Sequence, residues 1–447
     1  MRKLFIVLIA VFISACSSGS GDGGIPVSSC SIDGQKQFVL DAMREWYFWN
    51  DLLPADVDIN QFATPDDLLL FLTSFSPDLT PNDGIDNPVD RFSFINSAQA
   101  DQAFFGEGKF EGFGFSSRFL AADDLRLTRV FFDSPANRAG LARGQRILEL
   151  NGRTIAEIQA AEGVGVVFST SPLDFMMREP NGNEFTVSIA HDIVTIDPVP
   201  QSRIIIDPTG VRPPVGYMEL ATFISTANAE MDTALAMFRA QGVNDVIIDL
   251  RYNGGGLVST AELLGDFLGG DVAENLIFSK TLFNALRAPA NDKTEFFERQ
   301  GNSVSLSRLV VIATGRTASA SELVINGMEP HVEVTVIGSD TFGKPVGQVG
   351  LEFCAQILRP TAFQTLNAND FGDYFDGLPV DCAATDDLNI AVGADTDPNV
   401  EAALAYLDTG ACPAASVPGT QNKLSAERDV LQLDRRGPPS REFADAF

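Results

Sequence analysis

Hydrophobic and polar positions divide this chain into stretches of different period. Gln35 to Leu53 carries apolar residues at helical spacing, with Trp46, Tyr47, Phe48 and Trp49 clustered near its end, and reads as a helix with a core-forming aromatic group. Ser76 to Asp90, rich in Pro, Asp and Asn, reads as a connecting segment. From about Phe104 to Ala190 the period shortens. Phe110–Phe115 (FEGFGF) and Leu125–Phe132 are strand-like and are separated by turn residues. From Asp192 to Tyr406 strands and helices alternate. Val215–Leu220, Asp245–Leu250, Leu309–Ala313 and Val332–Gly338 read as strands, and Thr226–Gln241, Ser259–Leu268 and a segment from about Ser319 as helices. This alternation predicts an α/β core with both sheet faces covered. The Pro-, Ser- and charge-rich residues 411–447 are expected to be poorly ordered.

Length and charge narrow the picture. At roughly 150 residues per domain, a chain of 447 residues suggests several domains. The formal charge of −29, from 31 Lys plus Arg against 60 Asp plus Glu, argues against nucleic acid as a partner. Arg2 and Lys3 precede an apolar run, Leu4 to Ile13, that is too short to span a bilayer and is followed by Ser14-Ala15-Cys16. Residues 1–15 therefore read as a secretory signal peptide. The Ile-Ser-Ala-Cys ending resembles a bacterial lipobox, which implies lipidation of Cys16 and anchoring to a membrane through a Gly/Ser tether over residues 16–29. In an exported protein the four remaining cysteines, Cys30, Cys354, Cys382 and Cys412, are candidates for two disulfides. Three pairings are possible. Cys354–Cys382 with Cys30–Cys412 is favoured, because the second bond would tie the two ends of the folded body together.

Candidate chemistry follows from what is scarce. His191 and His331 are the only histidines, and neither HExxH nor Cys-x-x-Cys occurs, so no metal site is expected. A hydrolase built from this chain needs a base other than imidazole. Two loops follow predicted buried strands, where α/β proteins place their ligands. Asn253-Gly254-Gly255-Gly256 allows close backbone approach and can aim N–H groups at a substrate. Thr317-Ala318-Ser319-Ala320-Ser321-Glu322 contains an S-x-x-E capping box, which ordinarily signifies a helix start. A hydroxyl there also lies beside free N–H groups that can stabilise an oxyanion. Further on, Lys344 stands alone among apolar and glycine residues. In water a lysine is no base at neutral pH, but burial that penalises its charged form can make it one.

Two resemblances join these observations. The run Ser134-Pro135-Ala136, Ala139-Gly140-Leu141, Gly144-Gln145-Arg146-Ile147-Leu148 and Asn151-Gly152 resembles a PDZ domain over residues 104–190, with Gln145 where Asp is usual. The resemblance implies that an extended peptide adds as a strand, its terminal carboxylate held by the Phe113-Gly114-Phe115 loop. Asp249-Leu250-Arg251 with Asn253-Gly254-Gly255-Gly256, then Thr317 to Glu322, then Thr341-Phe342-Gly343-Lys344-Pro345-Val346-Gly347-Gln348 resemble, in that order, the serine C-terminal-processing (tail-specific) peptidases. That resemblance implies Ser319 as nucleophile, Lys344 as base and Gln348 as the residue that steadies it. It also implies oxyanion donors at Ala320 and at Gly255 or Gly256, no cofactor, and protein substrates with apolar C-termini. The expected architecture is α/β multidomain. An N-terminal helical region (residues 30–100) and a PDZ-like β-rich domain (104–190) precede an α/β peptidase core of the ClpP/crotonase type (192–410). A silent peptide-binding adaptor and a non-peptidase acyl hydrolase are the alternatives; the full set of side chains disfavours the first, and no motif supports the second.

Overall fold

The computed structural model describes residues 29–80 and 87–413, together with Ile25 and Val27. The expected signal peptide (residues 1–15), Cys16, most of the expected tether and the tail from residue 414 lie outside the described residues.

The N-terminal region is helical. Ile32–Trp46 starts at Ser31, whose hydroxyl accepts from Gly34 N–H, and Pro65–Thr73 starts with a Thr64–Asp67 capping box. The first helix ends at Trp46, short of the expected Leu53, because Tyr47 turns to extended backbone. Phe38, Leu40, Met43 and Tyr47 bury against Leu68, Leu72, Phe353 and Leu358. The segment read as a connector ends in buried structure, with Val89, Asp90 and Phe92 all buried. A helix, Ala98–Glu107, then occupies the start of what reads as strand territory.

Next comes an antiparallel sheet of Phe115–Ala121, Asp124–Val130, Arg146–Leu150, Leu173–Arg178 and Glu184–Ile189, in that spatial order. Its own core gathers Phe113, Phe115, Leu127, Ile147, Phe168 and Phe175. Lys109–Gly112 pairs with Asp192–Thr195 and closes this unit at its base.

The main sheet has six strands ordered Gln201–Ile205, Val215–Glu219, Asp245–Asp249, Arg308–Ala313, Glu333–Gly338 and Cys382–Ala383. All neighbours are parallel except the first pair. The central strands Val215–Glu219, Asp245–Asp249 and Arg308–Ala313 are largely apolar and buried because both faces are covered. Helices Ala227–Ala240, Val258–Gly269 and Ala320–Met328 share a core with Met218, Leu220, Ile248 and Val311, while Pro398–Thr409 lies over Tyr217, Ile247, Val310 and Ile312. Sequence periodicity does not reveal a four-stranded antiparallel sheet in which Val346–Gln348 lies at one edge beside Thr361–Leu366.

The disulfide pairing differs from the favoured one. Cys30 joins Cys354, and Cys382 joins Cys412. Packing explains both. Phe38 of the first helix stacks on Phe353 at 4.6 Å, which sets Cys30 beside the hairpin turn that holds Cys354. Leu407 of the last helix shares a core with Cys382, so the chain leaving that helix returns Cys412 to it.

Candidate active site

Three loops meet at the carboxyl ends of the central strands. The first leaves Asp245–Asp249 and contains Asn253, which is fully buried. Its Oδ1 accepts from Gly255 N–H at 2.9 Å, its Nδ2 donates to Leu220 O at 2.8 Å, and its carbonyl accepts from Ala318 N–H and Ser321 Oγ, both at 3.0 Å. One asparagine thus ties the triple-glycine loop to the Ser319 turn. Gly255 has φ 110°, and a Cβ there would stand 2.7 Å from Ser319 Cβ and 2.9 Å from Ala320 N, so only glycine permits this approach.

The second loop carries Ser319 immediately before Ala320–Met328, a helix whose nine residues are all buried. Ser319 has φ 56° and ψ −116°, a region an L-residue enters at a cost of about 1–3 kcal/mol. Ala320 N–H and Gly256 N–H have no hydrogen-bond acceptor among the described residues, whereas Gly255 N–H is taken by Asn253. The positive end of the helix and these two N–H groups offer a place for negative charge beside the Ser319 hydroxyl.

The third loop is Thr341–Gln348, and Glu322 draws it to the second. The carboxylate is buried and takes four donors. Oε1 accepts from Thr341 Oγ1 at 2.5 Å and Gly343 N–H at 2.7 Å, and Oε2 accepts from Ser319 N–H at 2.9 Å and Lys344 N–H at 2.8 Å. The backbones of Ser319 and Lys344 are therefore held two hydrogen bonds apart by a single oxygen. Burial pushes the Glu322 carboxyl upward, and the four donors offset only part of that. Phe342 N–H adds a bond to Thr317 O at 2.9 Å. Lys344 is buried, and its Nζ donates to Gln348 Oε1 at 3.1 Å.

A charged network underlies the first loop. Buried Arg251 pairs with Asp249 at 2.6 Å and Asp397 at 2.5 Å. Arg118 and Arg143 of the antiparallel unit reach Asp386, which also meets Arg251 and the Tyr252 hydroxyl. Burial pushes Asp386 up, but Arg143, Arg118 and Arg251 outweigh it and hold the carboxyl below its ordinary value. Arg316, three residues before Ser319, donates to Ser117 O at 3.1 Å. The antiparallel unit thus touches both loops that frame Ser319.

The other expected residues fall elsewhere. Phe113 and Phe115 are buried rings, and Gly114 has φ 84° with Ser134 packed against it. The carbonyls of Phe113 and Gly114 accept from Ala136 and Phe131 N–H, while the N–H groups of Phe113 and Gly114 have no partner among the described residues. His191 Nε2 meets Phe168 O at 3.1 Å and His331 Nε2 meets Ile277 O at 2.8 Å; neither imidazole joins the Ser319 loops.

The profile of peptidase family S41 matches residues 214–370, which contain all three loops, and that of the peptidase S41 N-terminal domain matches residues 34–94. The chain belongs to peptidase family S41. It is 29% identical over 225 residues to carboxyl-terminal-processing peptidase 3, chloroplastic, of Arabidopsis thaliana, covering 47% of this chain and 41% of that one. It is 28% identical over 227 residues to a carboxyl-terminal-processing protease of a Synechocystis species, covering 50% of each. The chain spans about half the length of these relatives. Among solved structures, a Bacteroides fragilis protein assigned to the S41 proteases aligns with a TM-score of 0.58 at 22% identity, over 89% of this chain and 97% of that one. The photosystem II D1 C-terminal processing protease gives 0.52 at 19%, over 86% and 99%. These two show the S41 fold. Against that fold, sequence reading gave Glu322 only a helix-capping role, Asn253 only a place in a glycine loop, and Phe92 none. The polar side chain of Asn253 within a buried turn was the one signal that could have singled it out.

Proposed function

We propose that the protein is an exported, lipid-anchored serine endopeptidase that cleaves protein substrates near apolar C-termini. The observation that carries this reading is the shared Glu322 oxygen, which holds the backbones of Ser319 and Lys344 together beside two unpaired N–H groups. Lys344 Nζ takes the proton of Ser319 Oγ as that oxygen bonds to the scissile carbonyl carbon. The N–H groups of Ala320 and Gly256 hold the resulting oxyanion. The C–N bond then breaks, Lys344 returns the proton to the leaving amine, and water, deprotonated by Lys344, hydrolyses the acyl ester on Ser319. Gln348 keeps the amine aimed.

The antiparallel unit acts as a PDZ-like domain. Among the described residues its Phe115–Ala121 strand pairs with Asp124–Val130 alone, so its other edge can accept a peptide strand, and the N–H groups of Phe113 and Gly114, which have no partner there, suit a terminal carboxylate. Export and anchoring rest on residues 1–29 and on Cys16. Ser319→Ala and Lys344→Ala should each lower cleavage of an unfolded protein with an apolar C-terminus by about 10³-fold or more. Full activity in either variant sinks the Ser–Lys pair. Metabolic labelling with a fatty-acid analogue should mark wild type but not Cys16→Ser; equal labelling of both removes the anchor.

A further inference from the structure

The Lys344 environment is completed by a strap from the N-terminal region, residues 89–93, more than 250 positions away in sequence. Gln348 Nε2 donates to Phe92 O at 2.6 Å and to Arg359 O at 3.1 Å. With both amide hydrogens committed to carbonyls, the amide cannot flip without opposing oxygen to oxygen, so Oε1 must face Lys344 Nζ. The Phe92 ring also lies 5.6 Å from that Nζ.

Phe92 is held in turn by Asp90, a buried carboxylate. Asp90 Oδ1 accepts from Phe92 N–H, Ser93 N–H and Thr361 Oγ1, each at 3.0 Å, and Oδ2 accepts from Ser93 Oγ at 2.6 Å. Asp90 N–H donates to Ser76 Oγ, and Thr361 N–H to Ser93 Oγ, both at 2.9 Å. Thr361 is the register partner of Gln348. The carboxylate therefore locks the strap to the strand beside the one that carries the glutamine.

We propose that Asp90 is a positioning residue for the base: it fixes the Phe92 carbonyl, which fixes the Gln348 amide, which aims Lys344. The N-terminal region is then part of the catalytic apparatus. This inference rests on the reading of Lys344 as the base. A misaimed proton acceptor slows chemistry without weakening substrate binding.

The test is steady-state cleavage of a quenched fluorescent peptide with an apolar C-terminus by the full chain. Asp90→Ala should lower kcat by about 10- to 100-fold with KM changed by less than about threefold. Asp90→Asn, which keeps an oxygen for Phe92 and Ser93 N–H, should recover most of the rate. In a Gln348→Ala background, Asp90→Ala should cost less than about threefold more, because its effect passes through the glutamine. Should Asp90→Ala fail to fold, Ser93→Ala removes the hydroxyl between Asp90 and Thr361 N–H and is read the same way. Unchanged kcat, a full loss that persists without Gln348, or an Asn variant as slow as Ala each overturns the proposal. Lys344→Ala run alongside separates the two ideas. If it is inactive while Asp90→Ala is silent, only the positioning role falls, whereas cleavage that survives Lys344→Ala overturns both.

Discussion

Replacing Glu322 tests whether one buried carboxylate assembles the site. In Glu322→Gln the amide can take two orientations. With Nε2 toward Ser319 and Lys344 it would face two N–H donors at 2.9 and 2.8 Å. With Nε2 toward Thr341 and Gly343 it faces one N–H donor and one hydroxyl, and the hydroxyl can turn to accept. The second orientation wins. It keeps the Ser319 and Lys344 bonds but takes the acceptor from Gly343 N–H and from the Thr341 hydroxyl proton, a loss of about 1–3 kcal/mol for each buried donor left unpaired. Burial already raises the carboxyl, so removing its charge returns part of that loss and keeps the total near the lower end. Glu322→Ala removes all four acceptor contacts and opens a cavity, which on the same scale exceeds about 4 kcal/mol and approaches the stability of a whole domain. Calorimetry should show Glu322→Gln melting a few degrees below wild type, at about 2–4 °C per kcal/mol, and still cleaving peptide. Glu322→Ala should melt far lower and be inactive. The reasoning is refuted if Glu322→Ala melts with wild type, or if Gln is as damaging as Ala, because then the oxygen shared by Ser319 and Lys344 is not what holds the loops.

Other perturbations test separate parts of the structure. Ser319→Gly relieves the positive φ and should raise the melting temperature while abolishing cleavage; by the usual cost of such a conformation the gain is about 1–3 kcal/mol, and an unchanged or lower melting temperature contradicts the strain. Burial raises Asp266 from 3.8 to about 6. Its stabilising contribution is thus fully present below pH about 4 and is lost as pH climbs through about 6. Asp266→Asn should gain stability relative to wild type across that interval by about 1 kcal/mol, the side chain being only half-buried, and a difference that does not vary with pH refutes the assignment. Replacing Cys30 and Cys354 together by serine opens the longer of the two cross-links, 324 residues apart, and should cost about 2–4 kcal/mol in a denaturant titration. A midpoint identical to wild type shows that the bond constrains nothing.

Much of the architecture is legible because periodicity reports burial. Val215–Glu219, Asp245–Asp249 and Arg308–Ala313 fall within a residue of the strands read from apolar runs, since a strand covered on both faces has no polar face to blur its ends. The first helix was overextended for the converse reason. Phe48 and Trp49 continue its apolar pattern but lie half-buried on irregular backbone, with Trp49 near Phe375 and Phe48 N–H bonded to Thr361 O. The hairpin sheet around Val346–Gln348 escapes notice because its strands are short and its pairings distant, and pattern carries no information about partners. The disulfides fail in the same way. Four cysteines are visible in sequence, but which thiols meet depends on how Phe38 packs on Phe353 and how the last helix folds back.

At the site, the residues that sequence singles out are those whose type matters in a fixed order along the chain: Ser319, Lys344 and Gln348 for their side chains, and the glycines for having none. The residues missed act by joining loops that sequence keeps apart. Glu322 looks like the last letter of a capping box, and its Ser319 contact is what such a box contains. Its other three donors come from residues 341–344, and nothing local announces them. Phe92 is harder still, because what it offers Gln348 is a carbonyl, which every residue has. A backbone group becomes specific only through what fixes it, here a buried Asp90 whose acceptor sites are filled by its own strap and by Thr361. A carboxylate at the end of a polar linker reads as solvated surface until its donors are known. The signal that separates the two cases is burial, which single-sequence pattern cannot report for an isolated acidic residue.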